Sequence, residues 1–526
     1  MIEIPDRMNA AFDFVDANVK AGRGDKVAIH YVPDGSTHTY TDVLTGVNRA
    51  GNALRDLGLD LEQRVMLLLL DSPDFVYSFF GAIKIGAVPV PTNTRLAAAD
   101  YEYLLNDSRA RMLIVSAPLL SAIEPIRERL PYLQHLIVAP GPDGGAPELP
   151  TSGPPITVHS LPELCVAASS VLEAEEMSRD DPCLWLYSSG TTGFPKGAVH
   201  LQHDMLVCAR TYAQQVLRIA ETDTTFSVAK LFFAYGLGNA LYFPFGVGAS
   251  TVLYPGHPGP AAVFDVLLRY RPSIFYSVPT GYAGMLAYPE APAPETLSSL
   301  RACVSAGEAL PATLFESWQK RYGQEILDGI GSTEVLHTFI SNRPGEARPG
   351  SSGQVVRGYE ARIVDGNGDP VAPGEVGDLL IKGDSICACY WNRDDQTKAT
   401  IEGAWIRTGD KYIVDEDEYY WYQGRADDML KVGGIWVSPF EVEIALLAHD
   451  AVVDAAVVGA ENEARLVKPK AFVVLRNGVT PSDSLAEELK VFVRDTIAPY
   501  KYPRWIEFVD ELPKTATGKI QRYRLR

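Results

Sequence analysis

Short, uninterrupted apolar runs, each followed by a longer amphipathic stretch, recur between about residue 40 and 350 and constrain this chain more than any other feature. "RVMLLLLD" (64–71) reads as a buried strand, "SPDFVYSFFGAIKIG" (72–86) as a helix and "AVPVPTN" (87–93) as the next strand. "RMLIVSA" (111–117), "HLIVAP" (135–140), "SIFYSVP" (273–279), "ACVSAGE" (302–308) and "EILDGIGSTE" (325–334) continue the series. Strands that are apolar on both faces and alternate with helices predict parallel sheets covered by helices. Such sheets bind ligands beyond the carboxyl ends of their strands. Here those ends run into small or polar loops.

After about residue 350 the texture changes. "GYEARIVDGNGDPVAPGEVGDLLIKGD" (358–384) alternates apolar and polar residues between turn signals, which predicts antiparallel strands. Beyond "GRADDMLKVGG" (424–434) strands are expected at 451–459 and 469–475, then a helix starting at a Ser484/Glu487 capping box. A large N-terminal region and a C-terminal lobe of about a hundred residues follow from this. The Gly- and Pro-rich segment 141–156 is expected to be a surface loop.

With 46% hydrophobic and 21% charged residues, the 526-residue chain has the composition of a packed globular protein. A net charge of −19 argues against nucleic acid or anionic membrane as a partner, while leaving room for a local polyphosphate site. Six scattered cysteines without CxxC spacing fit reduced thiols rather than disulfides or zinc ligands. The first twenty residues carry no basic segment followed by an apolar stretch, and no apolar run approaches the ~20 residues of a membrane helix. A cytoplasmic location is expected.

The segment "YSSGTTGFPKGAVH" (187–200) follows the apolar run 183–186. A Gly/Ser/Thr turn after a strand can present backbone N–H groups and hydroxyls to phosphate oxygens, with Lys196 adding a mobile charge. It is not a Walker A loop, because Lys196 stands between Pro195 and Gly197 instead of opening a helix. On composition alone a mobile surface loop explains it equally well.

The full string closely resembles the phosphate-binding signature of the acyl-adenylate-forming enzymes, which include acyl-CoA synthetases, carrier-protein adenylation domains and luciferases. Four further segments resemble that family's motifs in the same order: "DGIGSTE" (328–334), "WIRTGD" (405–410), "GRADDMLKVGGIWVSPFEVE" (424–443) and "PKTATGKIQR" (513–522). The resemblance implies an α/β fold with a large N-terminal domain, 1–426, of parallel-rich sheets flanked by helices plus a small β-barrel-like subdomain. A small mobile α+β domain, 427–526, follows. It also implies two half-reactions, in which a carboxylate attacks the α-phosphate of ATP and a thiol then attacks the acyl-adenylate.

On this resemblance Ser188, Ser189, Gly190, Thr191, Thr192, Gly193 and Lys196 hold the phosphates, and Thr192 and Glu334 lie at Mg²⁺. Ser305, Ala306, Gly307, Glu308, Asp328, Gly329, Ile330, Gly331, Ser332 and Thr333 frame the nucleotide. Asp410 is expected on the ribose hydroxyls, with Arg425 beside it. Lys519 is the expected catalytic lysine of adenylation and Asp427 the hinge. Rotation about it would bring the segment of Gly433 and Gly434 to the site for thiol attack, with coenzyme A as the thiol.

For the acid, "AKLFFAYGLGNALYFPF" (229–245) places Phe232, Phe233, Ala234, Tyr235 and Gly236 around a flat apolar slot, with a polar contact from His337 at its rim. Phe233 stands where many relatives carry histidine, and Ile330 where many carry tyrosine. In these features the chain is most similar to benzoate–CoA ligases. The expected partners are an aromatic acid, ATP and CoA, and the expected state is monomer or homodimer. Three alternatives stay open: a different aryl acid (hydroxy- or aminobenzoate) as substrate, an adenylating enzyme that loads a carrier protein or oxidises its adenylate, and a silent nucleotide-binding protein. A panel of ring-substituted acids separates the first, CoA-dependent thioester formation the second, and acid-dependent pyrophosphate exchange the third.

Overall fold

The structure is a computed structural model that describes residues 3–145, 147–150, 156–188, 194–426, 428–432, 435–461, 467–514 and 520–525. Two parallel-rich sheets organise its N-terminal part. The first has five parallel strands in the order Val88–Pro91, Arg64–Leu68, Met112–Ser116, His135–Ala139 and Thr157–Ser160. The second has nine. Its parallel centre runs Ile326–Gly331, Ala302–Ser305, Ile274–Ser277, Thr224–Ser227, Ser250–Leu253 and Val27–Tyr31, with antiparallel strands at both edges.

These are the runs that the apolar pattern marks. Met112–Ser116, Ile274–Ser277 and Ala302–Ser305 are buried along their whole length, as strands covered on both faces must be. The Tyr40–Asp56 helix begins at a reciprocal Thr39/Asp42 capping box, and the Pro73–Lys84 helix has proline in its first turn. Val43, Val47, Phe75, Phe79 and Phe80 from these helices join residues of both sheets in one apolar core. Where the carboxyl ends of the two sheets meet, Asp71 Oδ1 accepts from the Leu231 amide at 3.0 Å and Oδ2 lies 3.7 Å from Lys230 Nζ. Both side chains are buried. The pair therefore clips the first sheet to the loop that opens at residue 231.

A third, antiparallel sheet is the β-rich part expected after 350. It contains Tyr359–Val364, Gly377–Gly383, Ile401–Glu402, Trp405–Val414 and Tyr420–Arg425. The C-terminal lobe has its own core. There Val452–Glu461 pairs antiparallel with Val467–Leu475, which pairs parallel with Trp505–Phe508. Helices Pro439–Leu447 and Asp483–Thr496 complete it. The expected Ser484/Glu487 capping box is corrected two residues upstream. Ser482 adopts the extended cap conformation and its hydroxyl accepts from the Leu485 amide at 3.2 Å, while Glu487 pairs with Lys490. Of two serines two residues apart, the first captures the free amides, leaving the second inside the helix.

All six cysteines are free, four of them buried. Among the described residues no helix is long and apolar enough to cross a membrane. The basic C-terminal run is not simply a solvated end. Arg522 makes a bidentate pair with the buried Glu443 at 2.7 and 2.8 Å and reaches Asp428 at 3.3 Å.

Arg522→Met would leave the Glu443 carboxylate buried without its partner, a change of about 3–5 kcal/mol. Amide hydrogen exchange in 452–461 and 467–475 should accelerate while the N-terminal sheets keep their protection. Unchanged exchange in the lobe would show that the pair does not hold it.

Candidate active site

The hairpin Pro182–Ser188/Lys196–Leu201 pairs Ser188 with Lys196, so the glycine-rich connection starts and ends at one place. The connection itself, with Ser189, Gly190, Thr191, Thr192 and Gly193, lies outside the described residues. Cys389–Tyr390 adds a third strand, pairing Tyr390 with Ala198. The Lys196 ammonium sits 4.5 Å from the centroid of the Tyr390 ring, and the Tyr390 hydroxyl donates to Glu334 Oε1 at 2.9 Å. Burial and the Glu334 carboxylate both push the Tyr390 pKa up, so the phenol stays a donor. A single tyrosine thus brings the loop lysine and the glutamate together.

Ser332, Thr333 and Glu334 form a short turn after the Ile326–Gly331 strand, with the Ser332 hydroxyl accepting from the Val335 amide at 3.3 Å. The half-buried Glu334 is the only acidic residue of this turn. Among the described residues no three His, Cys, Asp or Glu side chains group into a metal cage. The donor set instead suits a hard cation held by one carboxylate and by oxygens of a substrate.

Strand register builds a polar row beside this turn. Ser277 pairs with Ser305, and Ser305 with Asp328, at the carboxyl ends of three adjacent parallel strands. All three are buried, yet Ser277 Oγ, Ser305 Oγ and Asp328 Oδ1 lack a partner in bonding geometry among the described residues. Burial pushes the Asp328 pKa well up; the Ser305 hydroxyl and the Leu310 and Gly329 amides lie near enough to oppose this, without overcoming it. Burial thus disfavours the charged form of this carboxyl and favours a ligand that offers it hydrogen bonds. Gly329, Ile330 and Gly331 continue the Asp328 strand, and Ala306, Gly307 and Glu308 form the turn after Ser305.

Asp410 and Arg425 face each other across two strands, and Arg425 Nη1 donates to Asp410 Oδ1 at 3.0 Å and to the Thr408 carbonyl at 3.1 Å. Gly409 has φ +76°, and a Cβ there would meet Arg425 Nη2 at 2.6 Å. The positive φ favours glycine at this position, and any side chain there would also displace the Arg425 guanidinium.

Phe233, Ala234 and Tyr235 are half-buried at the start of a short helix, and Phe232 is buried against Phe233 at 4.4 Å between ring centroids. A Cβ at Gly236 would collide with the Lys230 carbonyl, so the loop folds back tightly on the Asp71–Lys230 clip. The Tyr235 hydroxyl donates to the Ser277 carbonyl at 3.2 Å, tying the aromatic loop to the polar row. His337 departs from its expected place at the rim. It is buried beneath Tyr235, Tyr212 and Phe243, with ring centroids at 5.6, 5.5 and 4.4 Å. Its Nε2 bonds the Tyr235 carbonyl at 3.2 Å and its Nδ1 the Thr338 hydroxyl at 3.0 Å. Both its nitrogens are thus engaged within the protein.

Comparison with known proteins agrees with this layout. The AMP-binding enzyme family model matches residues 15–391, and that of the AMP-binding enzyme C-terminal domain matches 441–519. The chain belongs to the AMP-binding enzyme family. This AMP-binding enzyme is 52% identical to the benzoate–CoA ligase of Thauera aromatica, over 100% of this chain and 97% of that one. It is 46% identical to the 4-hydroxybenzoate–CoA/benzoate–CoA ligase of Rhodopseudomonas palustris, over 98% and 94% of the two chains. Among solved structures it resembles the anthranilate CoA ligase AuaEII in complex with anthranoyl-AMP, with TM-score 0.93, 46% identity and 99% and 97% coverage. A benzoate CoA ligase from Burkholderia xenovorans LB400 matches with TM-score 0.89, 46% identity and 99% and 100% coverage.

Asp427, Gly433, Gly434 and Lys519 of this AMP-binding enzyme lie outside the described residues. The sequence reading missed Tyr390. It stands in "CACYWN", about two hundred residues from the glycine-rich loop, and only strand pairing brings it to Lys196 and Glu334. No local pattern marks it.

Burial lowers the His337 pKa from 6.5 to about 3. Between these values the unfolded chain binds a proton that the folded one refuses, so this part of the stability is complete above pH 6.5 and is lost as pH falls toward 3. The slope is about 1.4 kcal/mol per pH unit for one proton. Denaturant unfolding across that range should show a slope one proton smaller in His337→Gln than in the wild type. Equal slopes would show that His337 does not resist protonation in the folded state.

Proposed function

We propose that this AMP-binding enzyme couples an aromatic carboxylic acid, benzoate foremost, to coenzyme A through an acyl-adenylate. In the first half-reaction a carboxylate oxygen bonds the α-phosphorus of ATP while the bond to pyrophosphate breaks. In the second the CoA sulfur bonds the acyl carbon, AMP departs and the thiol proton is released. The observation that carries the reading is the junction of an aromatic slot with a row of buried, partnerless polar groups. Tyr235 lines the slot and donates to the Ser277 carbonyl, next to Ser305 and Asp328 in register. Identity of 52% over the whole chain to a benzoate–CoA ligase supports the choice of acid and of CoA.

Each residue then has a task. The Asp328 carboxyl and the Ser305 hydroxyl meet the polar edge of the adenine, and Asp410, steadied by Arg425, accepts from the ribose hydroxyls. Loop 188–193 and Lys196 receive the phosphates. Mg²⁺, carried mainly by those phosphates and touched by Glu334 and Thr192, would neutralise their charge. Lys519 stabilises the charge between carboxylate and α-phosphate. The domain 427–526 turns at Asp427 to bring the segment of Gly433 and Gly434 to the site for thioester formation. A cytoplasmic monomer or homodimer needs nothing further. The anthranilate ligase at TM-score 0.93 favours a second reading, in which amino- or hydroxybenzoates are accepted too.

With ATP, Mg²⁺ and CoA supplied, benzoate should give the highest kcat/KM in a panel of ring-substituted and aliphatic acids. Small ring substituents should change it by about 10–200-fold. Faster turnover of a medium-chain fatty acid would overturn the aromatic assignment. Lys519→Ala should slow adenylate formation by roughly 10²–10³-fold while thioester formation from supplied benzoyl-adenylate continues. Equal loss in both half-reactions would remove the assignment of this lysine to the first alone.

A further inference from the structure

Behind the site lies a buried ionic group with no role in the assignments above. His200 and Asp204 are fully buried, and His200 Nδ1 lies 2.7 Å from Asp204 Oδ2. His200 Nε2 lies 2.8 Å from the carbonyl oxygen of Thr333. Both ring nitrogens are thus engaged, one by Asp204 and the other by the Thr333 carbonyl. We propose that His200, backed by Asp204, is a positioning residue for adenylation, holding the turn of Glu334 at a fixed distance from Lys196. The inference rests on the adenylating function proposed above.

The Lys196–Leu201 strand acts as the spacer. Residues 196, 198 and 200 share one face of it, because side chains alternate along a strand. On that face Lys196 lies over the Tyr390 ring, Ala198 pairs with Tyr390, and His200 grips Thr333. Lys196 and His200 stand about 13 Å apart along the strand. The turn they address needs holding. It ends at Leu336 with φ +66°, a left-handed conformation that a leucine adopts only when its surroundings impose it. The Thr333 carbonyl accepts both from the Leu336 amide at 3.1 Å and from His200. The Glu334 carbonyl accepts from the Cys387 amide at 2.7 Å, which fixes the turn on its other side.

Asp204 is anchored in turn. Its Oδ2 also accepts from the Leu201 amide at 3.1 Å, and its Oδ1 lies 3.2 Å from His203 Nε2. His203 spends its own hydrogen bonds on the carbonyls of Arg179 and Asp384, at 2.7 and 2.8 Å. Asp204 therefore aims His200, and His200 places the backbone next to Glu334. Neither needs to touch a substrate.

Two substitutions separate the two bonds of His200. The amide nitrogen of asparagine stands in for Nδ1 and keeps Asp204, whereas that of glutamine stands in for Nε2 and keeps Thr333. His200→Asn should slow benzoate-dependent adenylate formation on the order of 10- to 100-fold and raise the Mg²⁺ concentration for half-maximal rate. Thioester formation from supplied benzoyl-adenylate and the KM for benzoate should stay unchanged. His200→Gln should remain within roughly threefold of wild type in every assay. Equal losses in both variants, or a fall in thermal stability with no change in Mg²⁺ dependence, would overturn the proposal. If His200→Asn does not fold, His200→Ala decides, because it too gives up the Thr333 bond: it should show the same shift in Mg²⁺ dependence, and wild-type behaviour would overturn the proposal. Absence of any thioester from the wild type would instead refute the function on which the inference depends.

Discussion

Parallel hydrogen-bond register across the Ile274–Ser277, Ala302–Ser305 and Ile326–Gly331 strands stands beneath almost everything at the site. Because the parallel pairing of these strands ends at one level, Ser277, Ser305 and Asp328 lie side by side. A one-residue slip would turn all three polar side chains to the other face and put the buried Tyr276, Val304 and Leu327 in their place. Such slips are resisted because these strands are apolar on both faces and sit between helices. Burying three partnerless polar groups is unfavourable by itself, by about 1–3 kcal/mol for each. A large apolar core beside them makes that tolerable, and a bound base would supply the missing partners.

The chemistry proposed for this site must bring an anionic carboxylate to a polyphosphate inside a chain of net charge −19. Attraction therefore has to be local. The structure supplies it through Lys196, placed over Tyr390, and through a turn whose single carboxylate is tied by the Tyr390 hydroxyl. The acid slot is joined to this arrangement by backbone. Asp71 accepts from the Leu231 amide beside Lys230, and Tyr235 reaches the Ser277 carbonyl. On the proposed function, ring recognition and nucleotide recognition would share a wall. A shift of the aromatic loop would be felt at the polar row within one residue's length.

The C-terminal lobe is built on another plan. It has a separate apolar core, and its last segment is fastened by Arg522 to Glu443 and to Asp428, next to the expected hinge. An ion pair suits that position. It sets the path of the 520–525 segment by direction and charge, where an apolar contact would specify neither.

Much of this can be read from the amino-acid sequence because it depends on local periodicity and on strings of adjacent residues. The apolar runs at 64–71, 111–117, 273–279 and 302–308 determine strands, and their alternation with helices determines parallel sheets. The strings 187–200 and 328–334 mark where phosphate and base would sit, since a loop that cradles a ligand is one contiguous stretch of backbone. Tertiary structure alone decided what depends on pairing between distant segments. Tyr390 reaches Lys196 and Glu334 through a short strand pairing, His200 finds the Thr333 carbonyl across 133 positions, and Asp71 meets Lys230 across two sheets. It also buried His337, expected at a rim, because the rings of Tyr212, Tyr235 and Phe243 enclose it. Such contacts have no period and no motif. They arise when the burial of apolar faces stacks one sheet on another, and a side chain's neighbours are then set by packing geometry, not by its place in the chain.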